Sequence, residues 1–182
     1  MKCWSGLEEP GIRVNFLGVK TRDYMDQLER HPKTPRLIAG SLTTTCLPDF
    51  DEEYFQWVDL VEAVSLAQGR FTMMELGAGF GRWLVNAAAV LQMMNGNPYR
   101  LIGVEAEPTH YQWLKKHIQD NDLDANSCEL IQGAIDAENG SARFVVGRPS
   151  RWYGQSLWPP ETRIHVPPWL KLLAYRLSRK RA

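Results

Sequence analysis

The segment Glu75-Leu76-Gly77-Ala78-Gly79-Phe80-Gly81 holds the residue types in this chain best suited to cradling a small ligand. Glycines let a backbone approach a bound group closely and adopt positive φ at little steric cost. Where such a segment joins a strand to a helix, the helix N-terminus adds unpaired amide hydrogens and a positive dipole end, so a cradle for an anionic group is expected. Glu75, in the apolar context MMEL, is costly to bury unpaired and is expected to meet loop amides or a ligand ammonium group. A second carboxylate, Glu105, closes the apolar run 101–104, the place where a βαβ nucleotide fold puts an acid on the ribose hydroxyls. Glu107 precedes Pro108 at a predicted helix start, where an acid complements the dipole.

Spacing decides among the ligands. A dinucleotide fingerprint requires G-x-G-x-x-G, with glycine at position 82, but that residue is Arg82 and the third glycine stands one place earlier. A nicotinamide oxidoreductase is disfavoured accordingly. No G-K-[ST] follows, which excludes the Walker loop. An acid followed by G-x-G-x-G is instead the pattern of S-adenosylmethionine sites. His110 and His117 share one predicted helix without a third ligand nearby, so no metal is expected there, and His31 and His165, near prolines, read as solvated.

These residues need a sheet to hold them. Residues 71–76, 101–104 and 128–131 are short apolar runs that read as strands. Residues 83–94 form a helix apolar nearly all round, hence buried, and stopped by Asn95, Gly96 and Pro98. Thr109 and Gln112 form a capping box for a helix whose Tyr111, Leu114 and Ile118 share a face. A further helix is expected near 51–67, with Asp49, Asp51, Glu52 and Glu53 at its N-terminus. Strand, helix, strand, helix, strand predicts right-handed crossovers and a parallel sheet, an α/β fold. Asn139 and Gly140 suit a two-residue hairpin turn between IDAE and SARFVV. Residues 1–48, punctuated by glycines and prolines, give no clear element.

The chain has 182 residues, 44% hydrophobic and 23% charged, the composition of a globular domain. Its 21 basic and 21 acidic side chains cancel, so no overall field draws it to nucleic acid, and no nucleic-acid partner is expected. The charge is unevenly placed: residues 151–182 hold seven Lys/Arg against one Glu, together with four of the eleven prolines. Their last part, WLKLLAYRLSRKRA, reads as an amphipathic basic helix able to make weak contact with an anionic membrane surface. Three scattered cysteines form neither a disulfide framework nor a zinc site. The opening MKCWSGLEEP has no apolar h-region and no stretch is long enough to span a bilayer, so a cytoplasmic protein is expected. The chain divides into an N-terminal extension (1–50), a cofactor-binding core (51–148) and a basic tail (149–182).

In series, MELGAGFGRWLVNAAAV, LIGVEAEPTHYQWLKKHIQDN and ELIQGAIDAENGSARFVV resemble the N-terminal half of the FkbM family of class I S-adenosylmethionine-dependent methyltransferases, from about residue 51 to 148. The resemblance implies a Rossmann-like core and O-methylation of a hydroxyl on a sugar, glycolipid or small metabolite. It places Gly77, Ala78, Gly79 and Gly81 under the methionine part of the cofactor and Glu75 at its ammonium. Glu105 would hold the ribose and Ala106 the adenine. Gly133 and Ala134 stand where many such enzymes carry an adenine-binding acid, with Asp136 slightly beyond.

The family continues with a fourth strand bearing an acidic K-x-D-x-E-G-x-E-like segment, and nothing after Gly147 resembles it. In the class I order the first strand lies between the second and the fourth, so FTMMEL is expected as an apolar edge and a pairing hazard. Either a dimer, the 1–50 segment or the tail covers it, or the sequence reads as a truncated product of marginal stability. An acceptor pocket is expected from Tyr24, Tyr54, Trp57, Trp152 and Tyr153. The alternative reading is a non-catalytic cofactor-binding remnant acting as an interaction module.

Overall fold

The computed structural model describes residues 3–25, 40–51, 53–94 and 96–137, and beyond them residues 140, 143–147, 149 and 155–157. Four three-residue strands come first: β1 (Ser5–Leu7), β2 (Ile12–Val14), β3 (Lys20–Arg22) and β4 (Leu42–Thr44). β1 pairs with β4 and β2 with β3, both antiparallel. Asn15 shapes the β2–β3 connection, its side-chain oxygen accepting the amides of Leu17 at 2.9 Å and Val19 at 3.1 Å while Gly18 takes φ +87°.

Helices and strands then alternate: α1 (Tyr54–Leu66), β5 (Phe71–Leu76), α2 (Arg82–Met94), β6 (Tyr99–Glu105), α3 (Pro108–Asp120) and β7 (Cys128–Gln132). β5, β6 and β7 form a parallel sheet in that order, with Leu76 opposite Val104 and Glu105 opposite Gln132. The alternation of apolar runs with helical segments therefore gives the expected crossovers. A two-residue pair, β8 (Phe144–Val145) with β9 (Ser156–Leu157), follows.

One face of the sheet carries the core. Met73, Leu101 and Leu130 meet Leu84, Val85 and Leu91 of α2, Leu114 and Ile118 of α3, and Trp57, Leu60 and Val64 of α1. Fully buried leucines such as Leu84, Leu91, Leu101 and Leu114 each contribute roughly 1.5–3 kcal/mol. Gly103 allows this approach, since a Cβ there would lie 3.0 Å from both Leu84 and Leu114 side chains. On the opposite face Met74, Leu76 and Ile131 remain exposed, and no described strand pairs with the outer edge of β5. The edge expected from the sequence is thus present among the described residues.

The N-terminal strands dock on the helical layer rather than along β5. Phe16 and Val19 enter the core, and Phe16 meets Trp57 edge-on at 5.0 Å. Arg22 makes two hydrogen bonds to Asp120, at 2.6 and 3.0 Å.

Several local expectations are revised. α1 starts at Tyr54, because Asp51 accepts the Glu53 amide before the helix and Glu53 is paired with Arg82 at 2.6 Å. α3 is capped by Glu107, which accepts the His110 amide at 2.6 Å, and not by Thr109 with Gln112; Pro108, whose fixed φ suits the first helical position, sets that register. Residues 133–136 form no strand, so the partner of β8 is β9, and Asn139 of the expected turn lies outside the described residues. The basic tail beyond Leu157, with His165, also lies outside them, as does His31. No helix among the described residues is long and apolar enough to cross a membrane.

Candidate functional site

The C-terminal ends of β5, β6 and β7 open on a cleft of about 440 Å³, within the range of roughly 300–1,000 Å³ typical of ligand pockets. Leu76, Gly77 and Gly79 line it from the first turn, Glu105, Ala106 and His110 from the second, and Gly133, Ala134 and Ile135 from the third. Phe144, Gln155 and Leu157 close it from the β8–β9 ribbon. Of the residues singled out in the sequence, Gly77, Gly79, Glu105, Ala106 and Ala134 meet here. Glu75, Ala78 and Gly81 stand behind the lining.

The glycine loop is held from within. Gly77 and Ala78 both donate to the Val104 carbonyl at 2.9 Å, Gly79 donates to Glu105 Oε2 at 2.7 Å, and Gly81 donates to the Ala78 carbonyl at 2.6 Å. All three glycines have positive φ, +70°, +56° and +74°. A Cβ on Gly77 would meet nothing within 4 Å, whereas one on Gly81 would lie 2.3 Å from Leu114 Cδ1. Gly77 therefore keeps space open, and Gly81 lets α3 pack against the loop.

The expected anion cradle at the start of α2 is overturned by Glu75. Its Oε2 accepts the Leu84 amide at 3.2 Å, and the Trp83 amide bears on the same carboxylate. The positive end of the helix is thus already occupied by a carboxylate of the preceding strand. Burial pushes the Glu75 pKa up to about 7, against the pull of those amides and the Arg82 charge.

Glu105 is buried at the end of β6, and its other oxygen accepts the Glu107 amide at 2.7 Å. A carboxylate oxygen has two acceptor positions, so each keeps one for a hydroxyl group in the cleft. The two helix histidines are structural partners. His110 Nε2 donates to the Pro149 carbonyl at 2.8 Å, which ties α3 to the chain near the ribbon. His117 lies between the Phe80 carbonyl and the Thr21 hydroxyl.

Other expected residues go elsewhere. Asp136 is exposed, accepts the Ala137 amide at 2.7 Å, and does not line the cleft. Among the described residues the expected aromatic acceptor pocket does not assemble: Trp57 is buried against Phe16 and Trp83, Tyr54 packs on Phe50, and Tyr24 packs on Trp113. Trp152 and Tyr153 are outside the described residues. Ile135, Phe144, Gln155 and Leu157 line the cleft without having been singled out. Ile135 directly follows Ala134 and was within reach of the motif, but Gln155 and Leu157 carry no local signal.

The fold is a Rossmann-like α/β core, a three-stranded parallel sheet with flanking helices of the kind found in methyltransferases. Over 156 residues, 84% of the chain, the sequence is 27% identical to a protein of Jannaschia sp. (strain CCS1) named "Putative methyltransferase". The match takes in 53% of that relative, so the chain spans about half its length. No family model and no solved structure matches the chain.

Proposed function

We propose that the chain binds S-adenosylmethionine in the cleft and acts as a methyltransferase, with a hydroxyl of a sugar, glycolipid or small metabolite as acceptor. The observation that carries the reading is the Glu75 carboxylate at the N-terminus of α2. A pyrophosphate bound in the manner of a dinucleotide would need that helix end and would meet a negative charge there. A ligand bearing an ammonium and a sulfonium would gain from the same charge. The relative's name and the three FkbM-like segments support the same class, and the segments alone support the acceptor.

In this reading Gly77 and Gly79 leave room for the methionine part, and Glu105 takes the ribose hydroxyls through its remaining acceptor positions. Ala106 and Ala134 flank the adenine, with Ile135, Phe144 and Leu157 as an apolar wall. The cofactor supplies an electrophilic methyl group on its sulfonium. The chain's part is to fix the line of approach, with the acceptor oxygen about 3 Å from the methyl carbon and opposite the sulfur.

Isothermal titration with S-adenosylmethionine, S-adenosylhomocysteine and NAD tests the reading. Micromolar binding of the first two and none of NAD is expected; NAD binding alone would overturn it. A second reading, cofactor binding without turnover, is favoured by the exposed sheet face carrying Met74, Leu76 and Ile131. Transfer of labelled methyl to a hydroxyl acceptor would exclude it.

A further inference from the structure

We propose that the β2–β3 hairpin sets the shape of the glycine loop through His117, making Thr21 and His117 positioning residues of the cleft. His117 is 1% exposed on the last turn of α3. Its Nδ1 lies 3.0 Å from the Phe80 carbonyl and its Nε2 3.1 Å from the Thr21 hydroxyl. A carbonyl only accepts, so Nδ1 carries the proton and Nε2 accepts from Thr21. The Phe80 carbonyl thus fixes the tautomer, and the Thr21 hydroxyl, by donating to the free Nε2, pins the far side of the ring that holds the loop. Burial favours the neutral ring that this arrangement requires, lowering its pKa to about 4.

Phe80 stands between Gly79 and Gly81, the two most permissive points of the loop, and its ring also meets His117 edge-on at 5.2 Å. A hold at the Phe80 carbonyl therefore restrains both flexible neighbours. The hairpin end of the chain is itself fixed. On one side of Thr21, Lys20 and Asn121 exchange two hydrogen bonds, Lys20 amide to Asn121 Oδ1 and Asn121 Nδ2 to the Lys20 carbonyl, both 2.8 Å. On the other side, Arg22 grips Asp120. Asn15 adds a 2.7 Å bond to Asn86 on α2, the helix that the loop opens into. Three consecutive residues of β3 thus register on the end of α3, and the middle one addresses the loop.

The consequence for cofactor affinity rests on the S-adenosylmethionine reading; the consequence for loop order does not. Thr21→Val and Thr21→Ser in the full chain separate the two. Amide hydrogen exchange at Gly79, Phe80 and Gly81 is expected to quicken about tenfold in Thr21→Val relative to mid-strand amides of Met73 and Ile102, and to return in Thr21→Ser. S-adenosylhomocysteine affinity, measured well below the melting temperature, is expected to fall several-fold and to be rescued by serine. Loop exchange that is unchanged, or that quickens only in proportion to the strands, overturns the proposal. A wild-type chain that binds no S-adenosylhomocysteine sinks the cofactor reading while exchange still decides the positioning role. If Thr21→Val does not fold, imidazole ¹⁵N shifts of the wild type at pH 7 decide: the Nδ1–H tautomer at His117 is expected, and the Nε2–H tautomer overturns the proposal.

Discussion

Glu105 accepts the Gly79 amide at 2.7 Å through one oxygen while the other accepts the Glu107 amide at 2.7 Å, so one buried side chain ties two turns of the cleft together. The carboxylate satisfies one backbone donor in each turn and keeps acceptor capacity toward the cleft. Its position is therefore set before any ligand arrives, which lowers the ordering cost of binding.

Glu105→Gln should damage both roles. The amide oxygen replaces one acceptor, but the NH2 group faces a backbone donor and leaves it unpaired. A loss of about 1–3 kcal/mol in urea unfolding is expected, with S-adenosylmethionine affinity falling at least tenfold. Wild-type affinity in a destabilised variant would confine Glu105 to a structural role.

The glycines of the loop should separate by their surroundings. Gly81→Ala puts a methyl 2.3 Å from Leu114 Cδ1 at φ +74°, so a stability loss of roughly 2–4 kcal/mol is expected from overpacking and backbone strain together. Gly77→Ala meets nothing within 4 Å and bears only the strain of positive φ, about 1–2 kcal/mol. Its methyl would instead stand in the space proposed for the cofactor. Thermal melts and titrations on both variants check this: Gly81→Ala should move Tm more, and Gly77→Ala should move Kd more.

The three strands, the two crossovers and the acids at 75 and 105 were legible in the sequence because apolar runs and glycine punctuation are local signals. Glu75 was expected to find amide donors or an ammonium group; that its donors are the first amides of α2 was not legible, and this reverses the expected preference for an anion. The N-terminal strands were illegible because their stability comes from pairings as distant as Lys20 with Asn121, which leave no periodicity. His110 and His117 looked idle for the same reason, since Pro149, Phe80 and Thr21 come from other elements. The ribbon residues Gln155 and Leu157 carry no motif and reach the cleft only through the pairing of β9 with β8.

Glu75 should make stability depend on pH. Its folded pKa, about 7, lies above the ordinary value of 4.5, so the folded state holds a proton that the unfolded state has lost between those limits. Stability therefore falls as pH rises from about 4.5 to 7 and levels above it. Glu75→Gln removes this slope and should raise stability at pH 8 by about 1–3 kcal/mol. In the wild type, S-adenosylmethionine should bind more tightly as pH rises through 7, because the ionised carboxylate attracts its cationic groups. Affinity that is flat between pH 6 and 8 would detach Glu75 from the cofactor.

His117 should act in the opposite sense over an overlapping window. Its folded pKa, about 4, lies below the ordinary 6.5, so between those limits the unfolded state binds the extra proton. Stability then rises with pH from about 4 to 6.5, by as much as about 3 kcal/mol for a shift of this size. Between pH 4.5 and 6.5 the two slopes oppose each other, and the wild-type profile there should be flatter than either group alone would make it. The variants resolve the pair. Glu75→Gln should expose a rising profile through this interval, and His117→Gln, although less stable at pH 7 through the weakened hold on Phe80, a falling one. Urea unfolding at half-unit pH steps measures both. A wild-type profile that keeps its shape in either variant would show that the group replaced does not titrate in the folded chain as its burial requires.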